Sequence, residues 1–232
     1  MSEQEEGPVA SGLHGRRKGK PLSARRDGLM RDLLPSLLLD LKAPAPSDAR
    51  ALFPLEVAEI GMEIGFGGGE HLLSEAARNP KTGFIGVEPF VNGMAKALAA
   101  IADGEVENIR LFDSNAALVL DWLPRASLSR IDLLYPDPWP KTRHWKRRFL
   151  SGDNLDKMAR ALRPGGSLRI ASDIASYIEW TLAHILRRED FSWTAKVPQD
   201  WQKPWPLWPG TRYEAKAIRE GRTPAYLAFQ RH

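Results

Sequence analysis

Apolar positions along the chain change their spacing in a regular way. Short apolar runs at 57–64, 83–87, 109–112, 131–135 and 167–171 alternate with stretches where apolar residues return every three or four positions, at 70–78, 91–102, 116–122, 150–162 and 176–187. The runs have the length of strands, and the wider spacing is the buried stripe of a helix. Strands separated by helices form a parallel sheet, and runs apolar at consecutive positions are those of strands covered on both faces. Residues 225–230 alternate and add a last strand. Upstream, Leu33, Leu34, Leu37, Leu38 and Leu41 predict a helix over 29–41, interrupted by Pro35 and stopped by Ala43-Pro44-Ala45-Pro46. Pro164-Gly165-Gly166 predicts a stop ahead of the fifth strand. The expectation is one α/β domain over 29–232, a mostly parallel, doubly wound Rossmann-like sheet with helices on both faces. A flexible basic tail is expected over 1–28. There is no internal repeat.

Composition narrows the class. A chain of 232 residues with 43% hydrophobic and 27% charged side chains buries a substantial core and is not a disordered sequence. No apolar run approaches the roughly 20 residues of a membrane span. The first ten residues are acidic and lack the apolar stretch of a secretory signal, so no membrane partner is expected. Cysteine is absent, which removes disulfides, thiolate nucleophiles and thiolate zinc sites and fits the cytoplasm. His14, His71, His144, His184 and His232 have no ligand spacing, so no metal is expected.

The net charge of +4 hides an asymmetry: residues 1–140 carry 15 Lys and Arg against 20 Asp and Glu, whereas residues 141–232 carry 18 against 9. Lys141, Arg143, Lys146, Arg147 and Arg148 fill eight positions without an acid, with His144 and Trp145 among them. A basic run with interleaved aromatics is the footprint of a polyanion such as a nucleic acid. A second, weaker cluster (Arg16, Arg17, Lys18, Lys20, Arg25, Arg26) lies near the start.

In a parallel sheet, ligands bind at the carboxyl ends of the strands, so the loops there carry the chemistry. Glu63-Ile64-Gly65-Phe66-Gly67-Gly68-Gly69-Glu70 follows the first strand. Gly65 and Gly67 allow a tight turn and close backbone approach to a ligand. Glu70 stands where a dinucleotide fingerprint has its third glycine, and no G-K-[ST] of a P-loop is present. Acids on both sides of the turn favour a cationic ligand over a phosphate, which suits the sulfonium and amino group of S-adenosylmethionine. Glu88 closes the second strand, placed to take both ribose hydroxyls. After the third strand, Asn115 or Asp113 can reach an adenine edge. After the fourth, Pro136-Asp137-Pro138-Trp139-Pro140-Lys141 is stiffened by three prolines, which presents a carboxylate beside an aromatic in a set geometry suited to guanine.

These residues carry a resemblance. E-I-G-F-G at 63–67, G-V-E at 86–88, P-D-P-W-P-K at 136–141, R-H-x-K-R-R at 143–148, S-D at 172–173 and T-R-Y-E at 211–214 resemble the bacterial tRNA (guanine-N7)-methyltransferase family, from about Arg16 to the C-terminus. The family methylates guanine 46 of the variable loop with S-adenosylmethionine and has a class I methyltransferase fold. The resemblance implies Asp137 as catalytic residue, and cofactor contacts from Glu63, Glu88, Asn115 and Asp137. Substrate contacts from Lys141, Asp173, Thr211, Arg212, Tyr213 and Glu214 are implied too. Asn115-Ala116 departs from the family's usual Asp-Ala. Trp201, Trp205 and Trp208, among four prolines at 198–209, read either as a stacking rim for unpaired nucleotides or as a flap on the sheet. The rival readings are an amino-methyltransferase acting on adenine or cytosine and a noncatalytic RNA-binding subunit.

Overall fold

The computed structural model describes residues 14–104 and 106–232. Seven strands form one sheet: β1 (Glu59–Ile64), β2 (Thr82–Val87), β3 (Ile109–Phe112), β4 (Leu128–Leu134), β5 (Leu162–Ser172), β6 (Phe191–Trp193) and β7 (Ala225–Arg231). Their order is β3-β2-β1-β4-β5-β7-β6, parallel except that β7 runs antiparallel to β5 and β6. The order reverses between β1 and β4, and a crevice opens above their carboxyl ends. The expected doubly wound sheet is what forms.

The helices are α1 (Ala24–Asp32), α2 (Leu34–Leu37), α3 (Glu70–Arg78), α4 (Val91–Gly104), α5 (Ala116–Trp122), α6 (Gly152–Ala161), α7 (Ala175–Ile185), α8 (Gln199–Gln202) and α9 (Arg212–Arg219). On one face of the sheet Ile60, Met62, Ile64, Ile131, Leu133 and Ile170 pack against Val119, Leu120, Leu155, Met158 and Tyr177 of α5, α6 and α7. On the other, Phe84, Ile109 and Leu111 pack against Leu34, Leu72, Met94, Leu98 and Ile101 of α2, α3 and α4. That second face is apolar only over β2 and β3. Beyond them it turns charged, because register sets Glu63 of β1 beside Asp132 of β4, and Asp132 beside Arg169 of β5.

The expected helix over 29–41 is two helices. Proline has no N–H to donate to a preceding turn, so Pro35 begins a new short helix, and the chain then turns to pair Leu39 with Leu111. The expected boundary at residue 28 falls inside α1, which Ser23 caps by accepting from the Arg26 N–H. Ahead of it, Arg17 and Lys20 accept from Val91 N and Asn92 Nδ2, while Gly19 N donates to Asn92 Oδ1 at 2.6 Å. This basic segment is therefore fastened to the start of α4, and residues 1–13 of the expected tail lie outside the described residues. Pro164-Gly165-Gly166 does not precede the fifth strand but lies within it, absorbed where the β4–β5 register shifts between Leu128 and Arg130.

Leu98 of α4 is fully buried between the second-face helices and the sheet. Leu98→Ala is expected to cost about 2–5 kcal/mol, read as a lower urea midpoint at unchanged slope.

Candidate active site

A cavity of about 730 Å³ opens above the carboxyl ends of the strands. Ile64 and Gly65 from the end of β1, Glu88 from β2, Asn115 from β3 and Tyr135, Asp137 and Trp139 from β4 all line it. The volume lies within the range of small-molecule sites, roughly 300–1,000 Å³. Of the expected residues, Gly65, Glu88, Asn115, Asp137 and Tyr213 meet at this wall.

The glycine turn is built by close approach. Gly65 (φ +73°) and Gly67 (φ +59°) occupy the left-handed region, and a Cβ on Gly65 would meet nothing within 4 Å. That is open room against bare backbone. Behind the turn, Gly93 of α4 lets the helix approach, since a Cβ there would fall 2.4 Å from the Gly67 carbonyl. Glu88 holds the turn from the side: Oε2 accepts from Gly67 N at 2.6 Å and Oε1 from Phe90 N at 2.8 Å. Burial outweighs these bonds and raises the Glu88 pKa. Each oxygen keeps a lone pair for a ligand hydroxyl. Asn115 caps α5, its Oδ1 accepting from Ala117 N at 3.0 Å, which leaves the Nδ2 donors and one Oδ1 lone pair at the cavity wall. Asn115 and Ser114 line the cavity, and Asp113 does not.

Glu63 is placed differently from the expectation. It is 4% exposed and turned under the glycine turn, with Oε2 2.8 Å from Nδ1 of His71. Burial raises its pKa. With Nδ1–H donating to Glu63, the other ring nitrogen faces Nη2 of Arg169 at 3.4 Å as an acceptor. Asp132 accepts from Arg169 Nε at 2.6 Å and Arg130 Nε at 2.9 Å, and Arg130 also pairs with Glu75. Burial works against the Asp132 charge, yet Arg169 and Arg130 outweigh it and hold its pKa below the ordinary carboxylate range.

The β4 loop presents its side chains through unusual backbone: Tyr135 (φ +49°) and Trp139 (φ +43°) are both left-handed, the cost of turning a proline-rich segment sharply at a strand end. Asp137 stands exposed at the cavity mouth, and none of the described donors bonds its carboxylate. Desolvation by the surrounding loop raises its pKa. The basic run forms a 3-10 turn over Thr142–Arg147. Lys146 and Arg147 face the cavity, and the Arg147 guanidinium lies 5.0 Å from the Trp139 ring centre.

Other expected substrate residues sit outside the cavity wall. Lys141 is exposed ahead of the basic turn. Asp173, at the end of β5, accepts from Arg222 Nε at 2.5 Å. Thr211 and Glu214 form a capping box on α9: Thr211 Oγ1 accepts from Glu214 N, and Oε2 of Glu214 accepts from Thr211 N and from Trp208 Nε1. Arg212 and Tyr213 reach Gly67, 3.3 and 3.2 Å from where a Cβ would stand. Trp205 and Trp208 pack edge-on with Tyr226, Arg169 lies over Trp205, and Trp201 packs on the main core. In the structure this segment packs as a flap on the sheet. Sequence reading missed Tyr135, His71 and the segment at His14–Arg16. Gly15 lies so close to Asp137 that a Cβ would be 3.0 Å from Oδ2.

Asp132→Ala leaves the half-buried Arg130 and Arg169 without their shared carboxylate, an expected loss of about 3 kcal/mol at neutral pH. A depressed pKa stabilises the fold above the unfolded value, about 3.9, and the contribution fades as pH falls through the lower folded value. Urea titrations of both proteins should therefore differ throughout pH 5 to 8 and converge in stronger acid.

Residues 58–227 match the family model described as putative methyltransferase. The chain is 58% identical over 231 residues to the tRNA (guanine-N(7)-)-methyltransferase of Rhizobium meliloti strain 1021, covering 100% of both chains. It is 59% identical over 223 residues to the protein of the same name from Brucella melitensis biotype 1, with 96% of each covered. Among solved structures it is similar to a 16S rRNA methyltransferase (TM-score 0.54, 16% identity, 76% of this chain and 89% of that one). A precorrin-6y C5,15-methyltransferase from Geobacter metallireducens is similar too (TM-score 0.51, 13% identity, 79% and 88%). Those two likenesses are of fold, the class I methyltransferase fold. Among the described residues no helix is long and apolar enough to cross a membrane, and no group of three or more His, Asp or Glu could hold a metal. A model that spans the sheet domain, and identity above one half from end to end, make the chain a member of the tRNA (guanine-N7)-methyltransferase family.

Proposed function

We propose that the protein methylates N7 of guanine 46 in the variable loop of tRNA, in the cytoplasm, with S-adenosylmethionine as donor. One observation carries the reading most: the cavity ends on one side at Glu88 and an open glycine turn, and on the other at Asp137, unbonded and flanked by Trp139 and the basic turn. The first half suits a nucleoside with a cationic tail and the second a flat base on a polyanion.

The donor fits the residues present. Glu88 keeps lone pairs for two ribose hydroxyls, the open room at Gly65 admits a chain against backbone, and Asn115 offers amide groups to an adenine edge. When bound, the donor supplies a methyl group on a positively charged sulfur. Glu63 supports this site from beneath, through His71 and the glycine turn, and does not line it.

Guanine N7 carries a free lone pair, so no proton has to leave before the methyl group arrives. Catalysis then rests on alignment and charge. The base becomes cationic as it is methylated, and Asp137 stands where that charge develops. At about 4 Å and an effective dielectric of about 20, a carboxylate and a unit charge interact with roughly 4 kcal/mol. Only the increase over the neutral base lowers the barrier. Trp139 offers a ring face to the base, worth roughly 1–3 kcal/mol. Lys146, Arg147 and exposed Lys141 supply cations to the phosphates on either side.

The test is to give the purified protein labelled S-adenosylmethionine and unmodified tRNA, digest the product and identify the methylated nucleoside. 7-Methylguanosine that disappears when guanine 46 is replaced by adenine is expected. Label on adenine or cytosine supports an amino-methyltransferase, and no label despite tight tRNA binding supports a noncatalytic subunit. Asp137→Ala is expected to lower kcat by about 10²–10³, with donor affinity changed far less. Wild-type turnover in a folded Asp137→Ala protein removes Asp137 from the reaction.

Two phosphate contacts account for about 1–2 of the slope of log affinity against log salt concentration. Replacing Lys146 and Arg147 together by Gln should raise the KM for tRNA and flatten the slope by that amount. An unchanged slope places the phosphates elsewhere.

A further inference from the structure

Arg148 ends the basic run, and in sequence it reads as one more cation for the polyanion. The structure all but buries it, at the inner edge of the cavity that Lys146 and Arg147 face. Arg148 is 2% exposed, and among the described residues no carboxylate pairs with it. Its guanidinium lies 4.6 Å from the ring centre of Trp145 and 5.3 Å from those of Tyr177 and Trp180. A buried cation without a counter-ion is expensive, and the aromatic faces and its hydrogen bonds are what hold it. Those bonds go to two different segments, a loop and a helix start. Nε donates to the carbonyl of Pro138 at 2.9 Å, while Nη1 and Nη2 donate to the carbonyl (2.8 Å) and hydroxyl (3.1 Å) of Ser176.

The destinations matter. Pro138 stands between Asp137 and Trp139, so its carbonyl is the backbone anchor of the segment that presents both. Ser176 is in the first turn of α7, three residues after Asp173. Because Trp139 is held at φ +43° in a segment with no strand or helix bonds of its own, its geometry depends on outside contacts. We propose that Arg148 is a positioning residue: one guanidinium fork ties the Asp137–Trp139 loop to the start of α7 and so sets the spacing between the loops that end β4 and β5. It acts through the loop and does not contact phosphate. The planar fork serves this where a lysine cannot, because three donors must reach three oxygens on two segments at once.

The proposal rests on the methyltransferase reading, and the experiment separates the two. Initial rates of tRNA methylation, with the donor saturating and tRNA varied at several salt concentrations, are measured for wild type, Arg148→Lys, Arg148→Ala and Ser176→Ala, with folding checked by circular dichroism. Arg148→Lys is expected to lower kcat by 10- to 100-fold, with the KM for tRNA within threefold and its salt dependence unchanged. Millimolar guanidinium should restore the kcat of Arg148→Ala at least fivefold. Ser176→Ala, which keeps two of the three bonds, should lose two- to fivefold in kcat alone. A raised KM with a flatter salt slope makes Arg148 a phosphate contact and overturns the proposal. So does wild-type kcat in a folded Arg148→Lys protein. If both Arg148 variants fail to fold, Ser176→Ala decides, and an unchanged kcat there overturns it. Methyl transfer by wild type to another atom of the tRNA overturns the functional reading and leaves the comparison among variants intact.

Discussion

Burying charge in the centre of a sheet is the constraint around which this molecule is arranged. Glu63, Asp132 and Arg169 are neighbours across three parallel strands, on a face that would otherwise be covered by apolar helix. Glu63 and Asp132 are buried and Arg169 is only 15% exposed, so each has to find its partner within the protein. His71 and Glu75 come from α3, Arg130 from β4 itself, and Trp205 and Trp208 close over the top. The position of α3 is therefore set by electrostatics as well as by Leu72 and Ala76 in the core, whereas α4 beside it is set chiefly by packing. Since α3 begins directly after the glycine turn, the charge network also sets where that turn sits.

Seen from the cavity, the same economy recurs. Glu88 bonds the turn and keeps lone pairs for a ligand, and Asn115 caps a helix while offering its amide. Each ligand-facing group is fixed by a backbone bond before anything binds, which lowers the ordering cost of recognition. Asp137 differs in having no such bond. Its geometry comes from three prolines, two left-handed residues and the carbonyl of Pro138 held by Arg148. A carboxylate left unbonded keeps its full acceptor strength for a charge that appears only during reaction.

Much of this was legible in the sequence. Strands and helices were read from period alone, with Glu70–Arg78, Ile109–Phe112 and Ala116–Trp122 located to the residue. Gly65, Glu88, Asn115 and Asp137 are expected together because strand ends in such a sheet face one crevice, and all four line the cavity. What escaped was set by partners distant in sequence. Glu63 is bonded to His71 and lies outside the cavity wall, which its place at a strand end does not show, and Arg148 reads as a surface cation until Tyr177 and Trp180 are placed beside it. The flap at 201–208 could be read two ways because only Tyr226 and Arg169, on β7 and β5, decide which way its rings turn. The strand β6 has three residues, too few to show a period.

The solved structures with this fold include a 16S rRNA methyltransferase and a precorrin methyltransferase, so the sheet and its crevice do not select a substrate. Selection must lie in what this chain adds to the frame. Three additions meet at the cavity: the basic 3-10 turn after Asp137, the segment at His14–Arg16 laid against that residue, and α9, whose Tyr213 reaches Gly67. Two of the three are rich in cations, and all three lie at strand carboxyl ends. Charge at the rim draws a polyanion to the site whatever its sequence, because phosphates are alike. The choice of base then falls to the few groups inside the rim that are rigid enough to refuse a wrong shape. In the function proposed above those are Trp139 and Asp137, on a loop tied at the Pro138 carbonyl by the buried Arg148.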